Sequence, residues 1–84
     1  MDTKQLKKIT DTFSLEQIES CIKRQIEKGE NECGVADATD EALTALSKAE
    51  VVRELMDQGM TFADALRELG KRIRAVYGKD QSSL

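Results

Sequence analysis

Cys21 and Cys33 are the side chains of this sequence best suited to covalent chemistry. A thiol attacks as its thiolate, and cationic surroundings are what lower its pKa. Cys33 instead has Glu30 and Glu32 beside it, while Cys21 lies at the edge of an apolar helical stripe, where a small packed thiol is at home. A helix carrying Cys21 climbs only about 10 Å to its end at ~1.5 Å per residue, and the loop beyond can fold back. The spacing therefore permits a disulfide without requiring one, and Cys21 and Cys33 stand as the candidate redox-sensitive pair.

Other chemistry is poorly supplied. Histidine is absent, which removes the commonest general base and most transition-metal sites. Asp37, Asp40 and Glu41 cluster, yet they match no calcium-loop spacing and suit the start of a helix, where negative charge is favoured. No catalytic residue, metal ligand or cofactor site follows from these residue types.

The elements that must position the cysteines are helical. There is no Pro or Trp, with two Phe and one Tyr, so both the turn residues and the aromatic enrichment of a sheet protein are missing. The expectation is an all-α fold, a small three-helix bundle with a short N-terminal helix or arm, forming one domain over residues 1–78 with a mobile tail at 79–84. No apolar run approaches the ~20 residues of a membrane span and no signal-peptide core is visible, so a cytoplasmic location with reduced cysteines is expected.

Asp2 can cap a first short helix bearing Leu6 and Ile9, which Asp11-Thr12 would end. Ser14 and Gln17 form a capping box within a Phe13/Ile18 staple, and Leu15, Ile18, Ile22 and Ile26 then make the apolar stripe of a helix over 14–28 closed by Gly29. Residues 30–37 read as a connecting loop, with Val35 as its apolar member. Asp37 or Thr39 can cap a third helix over 40–58, whose face is Ala42, Ala45, Leu46, Ala49, Val52, Leu55 and Met56. Ser47-Lys48-Ala49-Glu50 repeats a cap pattern inside it, and one unbroken helix is the reading preferred.

Thr61 to Gly78 carries the clearest punctuation in the chain. Thr61 is the cap, Asp64 its box partner, and Phe62, Ala65, Leu66, Leu69, Ile73, Val76 and Tyr77 the apolar face. This stretch is expected to be the principal core helix over 62–77, continuous through Gly70, with Gly70 as a small residue where another helix comes close, and ending at Gly78. From Glu27 to Asp57 nine acids face three bases, whereas from Thr61 to Lys79 five bases face two acids.

The segment from Val52 to Gly70, a helix, a Gly59 turn, a Thr61 cap and an Ala/Leu-rich helix ending in Leu69-Gly70, is similar to the helix-turn-helix units of transposase-like and repressor-like DNA-binding proteins. That resemblance implies a DNA-binding regulator using residues 50–77, with Lys71, Arg72 and Arg74 on a recognition helix after Gly70. A sequence pI near 4.9 opposes general phosphate attraction. The favoured expectation is a small non-catalytic interaction or accessory protein with a protein partner, self-association included, and with nucleic acid as the alternative. Met56, Met60, Phe62, Arg67, Lys71 and Arg74 are the candidate contact surface. Ser82-Ser83-Leu84 also has the form of a peptide that PDZ domains accept.

Overall fold

Four helices account for the chain in a computed structural model, which describes residues 3–36 and 38–82, with side-chain surroundings up to Ala75. They are α1 (Thr3–Thr12), α2 (Leu15–Lys28), α3 (Thr39–Asp57) and α4 (Phe62–Ser82), with no strand among the described residues. The fold is all-α. No helix among these residues is long and apolar enough to cross a membrane. Expectations for Asp2 and Asp37 as caps, for the side chains of Val76 and Tyr77, and for the terminal Ser83-Leu84 fall outside what is described.

The helix starts follow local chemistry. Ser14 accepts a hydrogen bond from the Gln17 N–H at 3.2 Å, and Gln17 Oε1 accepts from the Ser14 N–H at 2.8 Å, so the expected capping box is complete. Gly29 ends α2 at φ 71°, a left-handed conformation that a β-carbon would strain. At α4 the Thr61 hydroxyl accepts from the Asp64 N–H at 3.1 Å, while the Asp64 carboxylate pairs with Arg67. α3 departs from expectation. Ala38 occupies its cap position without a side-chain bond, and Thr39 is already helical, its hydroxyl accepting a hydrogen bond from the Gln25 amide.

The centre of the molecule is α3, where Ala42, Ala45, Leu46, Ala49, Val52 and Leu55 are all buried. α1, α2 and α4 each pack against it. Its three alanines let the neighbouring helices approach, and its larger side chains fill the space between them. Leu6 and Ile9 of α1, Ile18 and Cys21 of α2, and Cys33 and Val35 of the loop complete the core. The expectation that residues 61–78 form the principal core helix is thereby corrected, since α4 supplies only Ala65 to the fully buried set described. α4 lies against one side of α3, so Phe62, Leu66 and Leu69 are only partly covered.

Two further boundaries are informative. α3 runs unbroken through Ser47, and α4 runs unbroken through Gly70, both as expected. α4 does not stop at Gly78 but continues to Ser82, because a helical glycine costs about 1 kcal/mol relative to Ala without forbidding the helix. Gly70 itself is not where another helix of this chain comes close: a β-carbon there would meet nothing within 4 Å. Gly70→Ala is accordingly expected to stabilise dilute protein by about 1 kcal/mol, read as a shift in the urea midpoint with unchanged slope.

Candidate functional site

Two regions hold the residues that could act on something else: the cysteine loop, and the face where α3 meets α4.

At the first, Cys21 and Cys33 are joined in a disulfide, with α-carbons 6.1 Å apart and both residues buried. The expectation of reduced thiols is corrected here. Their bonding follows from the fold, because the loop returns across α2 immediately after Gly29.

The loop is held by a side chain that sequence reading passed over. Asn31 donates to Gln25 Oε1 at 2.8 Å and to the Val35 carbonyl at 2.9 Å, and its Oδ1 accepts from the N–H groups of Cys33 at 3.0 Å and Val35 at 3.2 Å. Gln25, itself buried, donates onward to Thr39 Oγ1 at 3.2 Å. The Asn31-to-Cys33 bond is an Asx turn, and an Asn two residues before a core cysteine was its visible signal. Arg24 adds exposed ion pairs to Glu30 and Glu32.

This loop also rotates α2. Its buried face is Ile18, Cys21 and Gln25, whereas Ile26, expected in the apolar stripe, is 66% exposed. Cys21 and Gln25 face the loop, which leaves Ile22 partly buried against the core and turns Ile26 outward.

At the second region, α4 folds back along α3 and leaves a groove of about 500 Å³ lined by Leu43, Ser47, Lys48, Val51, Leu69 and Ile73, among others. One border is acidic. Glu50 and Glu54, at i+3 and i+7 from Ser47, lie on the side of α3 nearest α2, where Glu50 senses Glu19. The Glu50 carboxyl is held above the ordinary glutamate value of 4.5, first by desolvation and then by repulsion from Glu19 and Glu54. No ion pair to these three acids is present among the described residues. A carboxyl whose folded pKa is raised favours the protonated native state, so the penalty is full above the folded pKa and vanishes below the unfolded one. Glu50→Gln is expected to stabilise dilute protein at pH 7 by roughly 0.2–0.5 kcal/mol, the scale of a like-charged i,i+4 pair, with the gain fading as pH falls to about 4. Equal urea midpoints for the two proteins at pH 7 would contradict this.

The other border is basic. Arg67, Gly70 and Arg74, at i, i+3 and i+7, run beside the Leu66, Leu69 and Ile73 stripe, and both arginines are exposed. The six expected contact residues are thus divided. Met56 and Phe62 pack against the core near α1, with Lys7 Nζ 5.3 Å from the Phe62 ring centroid; Met60 is exposed in the turn; Arg67, Lys71 and Arg74 lie on the outer side of α4. Because α4 is continuous, Lys71, Arg72 and Arg74 extend the helix begun at Phe62 and do not open a separate one. Comparison with known proteins finds no matching family model, no matching curated protein and no matching solved structure.

Proposed function

We propose that this chain is a non-catalytic protein-interaction module, a three-helix bundle of α2, α3 and α4 with α1 as a docked N-terminal helix, which receives its partner on the α3–α4 groove. The observation carrying this reading is that the apolar walls Leu43, Val51, Leu69 and Ile73 are left open by the chain's own packing. Chemistry supports it from the other side. With no histidine, and with both cysteine sulfurs held in one bond, the commonest general base and a free thiol nucleophile are not on offer.

The test is site-specific photocrosslinking in the native host, with the reactive side chain placed at Ser47 or Leu69 and, as control, at exposed Lys23. Protein adducts are expected from the two groove positions and not from Lys23. Absence of groove adducts, or equal adducts from Lys23, would overturn the reading. So would salt-sensitive binding to duplex DNA that is lost in Arg72→Ala/Arg74→Ala, the signature of a nucleic-acid module.

A further inference from the structure

We propose that the partner seated on the groove is a second copy of this chain, related by a two-fold axis running along the groove. The inference rests on the α3–α4 face being the docking face and adds who occupies it.

The charge layout selects this occupant. By helical position the order across the face is Glu19, then Glu50 and Glu54, then the groove with Lys48 in its lining, then Arg67, which also pairs with Asp64 of its own helix, and Arg74. A two-fold axis along the groove turns left into right, so the acidic border of one copy meets the basic border of the other. An axis across the groove would set acid on acid. The favoured axis also sets α3 of one copy antiparallel to α4 of the other, giving an ordinary four-helix arrangement at the contact.

Two further features fit the same geometry. Glu50 is a carboxylate crowded by Glu19 and Glu54, and an arginine from a second copy would relieve that repulsion. Gly70 is a helical glycine where a β-carbon would meet nothing in its own chain, next in sequence to Leu69 of the groove wall, and Ser47 lines the opposite wall, so small residues on α3 and α4 let facing helices approach closely.

The experiment is sedimentation velocity on the full oxidised chain. The wild type is expected to dimerise in a concentration-dependent way in about 50 mM salt and to dissociate at about 500 mM, because exposed charge pairs are screened. Glu50→Lys/Glu54→Lys and Arg67→Glu/Arg74→Glu, each checked for unchanged helicity by circular dichroism, each set like charge on like charge and are expected to weaken self-association at least about tenfold. Mixed, the two variants are expected to pair one to one. A wild type monomeric at every concentration in low salt, variants that dimerise as the wild type does, or a mixture that fails to pair would each overturn the proposal. A monomeric chain whose groove positions still crosslink to a different protein would remove the second copy and leave the docking face standing, whereas loss of groove adducts would remove both.

Discussion

Cys33→Ser is expected to lower the melting temperature by roughly 10–20 °C, a loss of about 3 kcal/mol. The figure follows from the crosslink itself: Cys21 and Cys33 close a loop with a sequence separation of 12, and opening it returns chain entropy to the unfolded state. For a domain of this length, total stability is about 4–12 kcal/mol, so the bond is a large fraction of it. Reduced wild type should melt near the variant, and Cys21→Ser/Cys33→Ser should cost little more than either single change, since the first already removes the shared bond. Scanning calorimetry with and without reductant reads all of these. A reduced protein melting within about 2 °C of the oxidised one would mean the bond contributes under 1 kcal/mol to the fold.

Asn31→Ala is expected to cost about 2–3 kcal/mol, far above the usual figure for a surface loop residue. Its amide joins four partners, and its loss leaves the Oε1 of buried Gln25 and the backbone of the turn without their bonds. Asn31→Asp keeps the two acceptor bonds from Cys33 and Val35 but not the donation to Gln25 and the Val35 carbonyl, so an intermediate loss is expected near neutral pH. Urea titration of the oxidised protein separates the three cases by midpoint. In reduced protein the alanine change should cost less, because the loop that Asn31 organises is already loosened; a larger cost there would show that the two restraints act on different segments.

The sequence made the helices legible, while the way they face one another was not. Ser14, Gln17, Gly29 and Thr61 act through neighbours within a few residues, so their roles follow from spacing alone. On α2 the exception is Ile26, which satisfies helical periodicity as well as Cys21 and Gln25 do. What decides between them is a loop anchored by Asn31, whose partners are fixed only after the chain turns back. The prominence of residues 61–78 misled for a related reason. Good caps and a clean apolar stripe show that a helix forms; how many sides of it are covered depends on where the other helices lie, and α3, ringed by alanine, takes the centre. For the groove, Leu69 and Ile73 were visible as apolar positions, but the pairing with Leu43, Ser47 and Val51 arises only once α4 folds back along α3.

Arg53 ties the end of α1 to the last turns of α3. Its guanidinium donates to the Thr10 carbonyl at 2.8 Å, across a sequence separation of 43, while its Nε donates to Asp57 at 2.9 Å. The last turns of α3 must therefore be in place before the end of α1 has a partner for that carbonyl, and Leu6 and Ile9 have no surface to dock on earlier. In folding, α1 is therefore expected to dock after the end of α3 has formed. Its amides should exchange with solvent through a partial opening that leaves α2 and α3 protected, and Arg53→Ala should speed that exchange in α1 well before it is felt at the disulfide end.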